Sequence, residues 1–158
     1  MKSGWRIFIL AVVVAMPIAI STWPLRSSTA QAAERIPLTI KTAKAEHKFR
    51  IEIARTSEEQ ARGLMFRESL PADGGMIFPM IPPRYASFWM KNTLIPLDMI
   101  FIRSDGTIAR IEPETVPQTL EPVSSGEPVA AVLEIDGGLS AKLGIAEGDT
   151  VIWSDPKR

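Results

Sequence analysis

Three segments of this chain set ionisable side chains inside strongly apolar surroundings. They are Gly63-Leu64-Met65-Phe66-Arg67, Phe88-Trp89-Met90-Lys91-Asn92-Thr93 and Leu97-Asp98-Met99-Ile100-Phe101. Burying an unpartnered charge is costly, so Arg67, Lys91 and Asp98 must be paired or stand at the wall of a cleft. Asp98 says the most, because it interrupts the most hydrophobic strand of the chain. In a structural role its carboxylate accepts hydrogen bonds from backbone N–H groups of the 92–97 turn, and Arg67 completes a buried ion pair. In a catalytic role Asp98 or Glu134 serves as acid or base, and Arg67 or Lys91 stabilises developing negative charge. A binding role is suggested by the segment from Ser87 to Thr93. Read as a strand, it shows Trp89 and Lys91 on one face and Met90 and Asn92 on the other. An aromatic ring beside a cation and an amide suits stacking on, and hydrogen bonding to, a sugar or peptide fragment. The structural role is the expectation for Asp98, and non-catalytic binding is the expectation for the chain. The hydrolase-type enzyme is the alternative.

Other chemistry is thinly represented. Met65, Met76, Met80, Met90 and Met99 fall within one 35-residue stretch. Soft thioethers select copper(I), but methionines gathered in this way ordinarily serve as adaptable core packing. The expectation is therefore no metal and no cofactor, with copper(I) as a minor alternative. The chain has no cysteine and a single histidine, His47, which excludes disulfides, thiolate-ligated metals and any site built from two histidines. His47 opens the first long strand on the side of Phe49 and Ile51, and no neighbouring motif supplies a nucleophile. There is no glycine-rich phosphate loop, no GxSxG elbow and no HExxH helix.

The elements that position these residues are short. Phe49, Ile51 and Ile53 alternate with Lys48, Arg50 and Glu52, the period of a strand with one face in water. Leu38 and Ile40 mark a strand before it. Thr56 and Glu59 form a capping box, and the spacing predicts a helix from Ser57 to about Phe66. Met76 to Phe78 is a strand cut by Pro79, with Pro82-Pro83 enforcing an extended loop. Leu97 to Ile102 reads as a central strand covered on both faces, and Ser104-Asp105-Gly106 as a hairpin loop leading to a strand from Thr107 to Ile111. Residues 113–128 hold four prolines and read as a long loop. A strand from Val129 to Ile135, a helix from Leu139 to Leu143 capped by Gly144, and a strand from Val151 to Trp153 close the chain. Seven or eight short strands with two small helices define a mainly β domain, an antiparallel sandwich or barrel.

Composition frames the rest. The 158 residues carry 18 basic and 18 acidic groups, so no field of one sign points to nucleic acid or an anionic membrane. Lys2 and Arg6, the 14-residue apolar run Ile7–Ile20 and the Ala30-Gln31-Ala32 pattern have the form of a signal peptide. Pro17 and the shortness of the run argue against a retained span. The expectation is a signal peptide over residues 1–32, cleaved between Ala32 and Ala33, and a periplasmic or secreted single domain over residues 33–158. The alternative is an uncleaved anchor. Removing Lys2, Arg6 and Arg26 leaves 15 basic and 18 acidic groups, a net charge of −3. Such a domain is expected to bind a small molecule, glycan or protein segment, and neither nucleic acid nor membrane. Arg67, Trp89, Lys91, Asn92, Asp98 and Glu134 are its candidate ligand-binding residues.

The same segments carry a resemblance. Together with Gly75-Met76-Ile77-Phe78, Leu133-Glu134-Ile135 and Gly148-Asp149-x-Val151, the block SFWMKNTLIPLDMIFI is similar to the family known as domain of unknown function 192. The similarity runs from about Ile51 to Ile152. It implies a small β-rich domain, often exported or membrane-tethered, and it brings no established activity or catalytic residues.

Overall fold

In the computed structural model, residues 34–157 are described; the expected signal segment, residues 1–32, lies outside them. The alternating residues form β2 (Glu46–Ile53), which pairs antiparallel with β1 (Arg35–Lys41). Thr56 then caps α1 (Ser57–Arg62): its side chain accepts from the Glu59 N–H, and the Glu59 carboxylate accepts from the Thr56 N–H. A box of this kind contributes about 1 kcal/mol. The helix stops four residues short of the expected Phe66, because Gly63 takes a positive φ of 47°. A side chain there would also meet the Phe78 ring, 3.2 Å from the position of a Cβ.

The chain continues through β3 (Met76–Phe88), β4 (Leu97–Ile102), β5 (Ile108–Thr115), β6 (Val123–Asp136), α2 (Leu139–Leu143) and β7 (Thr150–Trp153). The seven strands of the described residues form one sheet in the order β5-β4-β6-β3-β2-β1-β7. Every neighbouring pair is antiparallel except β2 and β3, which are joined through α1. The sheet curls until its ends meet at the Thr107–Thr150 bridge, where Ile108 N–H donates to Asp149 and Val151 N–H to Gly106, each at 2.8 Å. Of the two expected architectures the molecule takes the barrel-like one, a curled half-barrel.

Each face of the central strands has its own core. Ile51, Ile53, Ile77, Ile100, Leu133 and Ile135 bury one face against β1, β7 and α2. Met76, Phe78, Met80, Met90, Met99, Phe101 and Val132 bury the other. All six residues of β4 are buried, as expected of a doubly covered strand.

Three expectations about the elements are corrected. Pro79 does not end β3, nor do Pro82 and Pro83. β2 accompanies that strand only at Met76 and Ile77, so later residues need no ladder donor on that side, and the register shifts between Pro79 and Arg84 absorb the rest. Ser87–Thr93 is not a strand: β3 ends at Phe88, and Asn92, with φ 57°, turns the chain. The long loop expected over 113–128 shrinks to residues 116–122, because β5 runs on through Pro113 and β6 begins at Val123. Among the described residues no helix is long and apolar enough to cross a membrane.

Candidate functional site

Register decides which charged side chains share a face. Asp98 lies opposite Ile135, whereas Glu134 lies between Met99 and Met76. Side chains alternate along a strand, so Asp98 and Glu134 point to opposite faces of the sheet. The expected choice between two interchangeable carboxylates thus resolves into two separate environments.

Asp98 is fully buried and fully used. Its Oδ1 accepts from the backbone N–H groups of Glu114 and Gly138, and its Oδ2 from the Ser140 N–H, all at 2.8 Å; the Ser140 hydroxyl also donates to Oδ2. Backbone donors satisfy the carboxylate, as a structural role requires, with two corrections. The donors come from the end of β5 and the start of α2 rather than from the 92–97 turn. The ion-pair partner of Arg67 is Glu52, reached through two parallel bonds of 3.0 and 2.7 Å. Glu52, expected to face water, is instead buried beneath that guanidinium.

Glu134 is different. It is 5% exposed, and its carboxyl makes no hydrogen bond or ion pair with any described residue. Burial alone pushes its carboxyl up to about 8. It forms part of the floor of a pocket of about 440 Å³, within the roughly 300–1,000 Å³ of typical ligand clefts. The same row of the sheet runs Glu112, Met99, Glu134, Met76, Glu52. Its outer two carboxylates are paired with Arg110 and Arg67, so only the central one faces the pocket without a counter-charge.

The walls come from α1 and the turn after it, from β3, and from the segment around Trp89. Gln60 anchors α1 to β3, its amide donating to the Pro79 carbonyl at 3.0 Å. Phe78 and Phe88 meet edge to face with centroids 5.1 Å apart. The Phe66 N–H donates to the Asn92 carbonyl, and the Asn92 amide to the Met65 sulfur, so the turn after α1 is tied to the turn after β3. Asn92 therefore holds the wall together. Trp89 lines the pocket and is half exposed, with the Lys91 ammonium 5.1 Å from its ring centroid. Trp89 and Lys91 do meet, through a cation–π contact on a loop rather than as two residues of one strand face.

Of the six candidate residues, the fold places Glu134 and Trp89 in the pocket, Lys91 against Trp89 and Asn92 in its wall. Arg67 is held by Glu52, and Asp98 lies on the far side of the sheet. Arg62, Arg84 and Tyr85 also line the pocket and were not singled out from sequence. Arg84 and Tyr85 carry one signal, an Arg-Tyr pair following two prolines, and Arg62 carries none beyond its place in the helix. Four of the five clustered methionines are buried in one apolar core, and the Met90 sulfur accepts from the Thr115 hydroxyl. His47 lies on the face opposite Glu134, its Nε2 buried and without a hydrogen-bond partner among the described residues.

The fold and pocket together define a small curled-sheet β domain with a sheltered, uncompensated carboxyl. The chain belongs to the domain of unknown function 192 family, described as "Uncharacterized ACR", whose family model matches residues 38–153. It is similar to the crystal structure of a protein of unknown function from Novosphingobium aromaticivorans, with 47% identity over 79% of this chain and 89% of that one and a TM-score of 0.76. It is also similar to a structure from Sinorhizobium meliloti provisionally described as a transcription regulator, with 38% identity over 75% of this chain and 93% of that one and a TM-score of 0.74. No curated protein matched the chain.

Proposed function

We propose that this is an exported, non-catalytic binding module whose pocket takes a small molecule, with a glycan fragment as the best fit. The observation that carries this reading is Glu134, an unpartnered buried carboxyl at the floor of a pocket walled by aromatic and methionine side chains. A merely structural carboxyl is expected to find donors, as Asp98 does. Half-exposed Trp89 and exposed Tyr85 at the same pocket offer ring faces for stacking on a sugar.

The enzymatic alternative is less well supported. Glu134 has the protonation range of a general acid, but Asp98 lies on the other face and Arg67 is held by Glu52. The description of the Sinorhizobium protein does not carry over readily either. The domain beyond residue 32 has a net charge of −3, and helices of six and five residues are too short to read a major groove.

Two measurements test the proposal. Intact-mass analysis of exported protein is expected to show a chain starting at Ala33; recovery of all 158 residues from the membrane fraction would contradict export by cleavage. Methyl NMR with a panel of short oligosaccharides and peptides is expected to shift Met65 and Met80, which line the pocket. Trp89→Ala should weaken that binding roughly tenfold with little change in melting temperature. Shifts confined to residues outside the pocket would refute the site.

A further inference from the structure

The charges around the pocket select among sugars. Its charged lining residues, among those described, are Arg62, Arg84 and Glu134. Arg55, Arg67, Arg103 and Arg110 are each paired with a carboxylate, whereas neither the Arg62 nor the Arg84 guanidinium makes an ion pair or hydrogen bond with a described residue. Two guanidinium groups without partners among the described residues, set against a single floor carboxyl that burial pushes up to about 8, leave the pocket net cationic.

We propose that the pocket takes a carboxylate-bearing sugar: Arg62 and Arg84 hold the carboxylate, Trp89 and Tyr85 offer ring faces, and Glu134 donates a hydrogen bond from the floor. This rests on the pocket reading above and narrows it to one class of ligand. A guanidinium matches a carboxylate through two parallel bonds. A neutral carboxyl at the floor can meet a hydroxyl or ring oxygen without repelling the anion at the mouth. A peptide added as a strand fits less well, because β3, which forms one wall, carries Pro79, Pro82 and Pro83 and shifts register between Pro79 and Arg84.

The other charged and titratable groups facing Glu134 do not alter this balance. Glu52 on β2 and Glu112 on β5 lie two strands away on either side, each paired with an arginine. Tyr85, Arg84 and Arg62 stand at the walls, and Met76 and Met99 are its uncharged neighbours on β3 and β4.

The test is calorimetric titration of the exported protein with short oligomers of glucuronate, galacturonate and mannuronate and with their methyl esters. Met65 and Met80 methyl shifts locate each ligand. At least one uronate is expected to bind at about pH 6, with its neutral ester about tenfold weaker or worse. The double variant Arg62→Gln/Arg84→Gln should bring the acid down to the level of the ester. Raising the pH to about 9.5 ionises the floor and should weaken the acid, but not in Glu134→Gln, which keeps a neutral donor there. The inference is overturned if ester and acid bind alike, or if Glu134→Gln loses affinity with pH as wild type does. It is also overturned if neutral sugars or acidic peptides shift Met65 and Met80 while no uronate does; the pocket reading then survives. If no probe moves those methyl groups, both fail.

Discussion

Glu134→Gln is expected to stabilise the protein at alkaline pH while leaving its stability near pH 4.5 unchanged. The sign follows from which state holds the proton. Glu134 titrates near its ordinary 4.5 in the unfolded chain and at about 8 in the folded one. Between those values the native state binds more protons than the unfolded state, so wild-type stability falls as pH rises across that window. Above about 8 both states are ionised, and the penalty is complete. A displacement of that size corresponds to roughly 4–5 kcal/mol, against a total of about 5–15 kcal/mol for an ordinary domain. Glutamine has nearly the same shape and no charge to desolvate, so its curve lacks this fall. Melting temperatures of both proteins between pH 4.5 and 9 should diverge steadily, to about 10 °C or more at the alkaline end. Parallel curves would show that the Glu134 carboxyl is already compensated, which removes the central observation behind the binding site.

Asp98→Asn is expected to act in the opposite direction, lowering the melting temperature at neutral pH. The carboxylate accepts from three backbone N–H groups and one hydroxyl. Asparagine offers one oxygen and one NH₂ group. Whichever way the amide turns, at least one backbone N–H faces another donor instead of an acceptor, although the Ser140 hydroxyl can rotate to accept. Losing charge-assisted bonds and leaving buried donors unmet costs on the order of 3–5 kcal/mol, or roughly 10 °C in a domain of this size. The damage should concentrate where β5 ends and α2 begins, since Glu114, Gly138 and Ser140 are held there. Hydrogen exchange at those three amides is the local check. A melt matching wild type, with those amides still protected, would mean that the carboxylate does not hold the junction. The two variants thus separate a carboxyl that stabilises the fold from one that burdens it.

Local chemistry was legible because it depends on near neighbours. The capping box at Thr56 and Glu59, the alternation in β2, the turn at Ser104–Gly106 and the Gly144 cap were all read from residues a few positions apart. Proline positions misled at β3 and β5. A proline breaks a strand only where a ladder donor is required on that side, and that depends on which strand lies alongside.

For the site, the sequence alone determined that Asp98, set in so apolar a run, had to be satisfied or functional. It also put Trp89 with Lys91, though on a strand face rather than on the loop where they meet. Only the tertiary structure decided how. Asp98 finds donors 16, 40 and 42 residues away. Arg67 finds Glu52 through the βα crossover, and Glu134 finds nothing, because its neighbours across the sheet are Met76 and Met99. Partners so distant are set by strand order and register, and a shift of a single residue would exchange the environments of the two faces. Which carboxyl would be buried without a partner was therefore settled by sheet topology, the one property that no local pattern encodes.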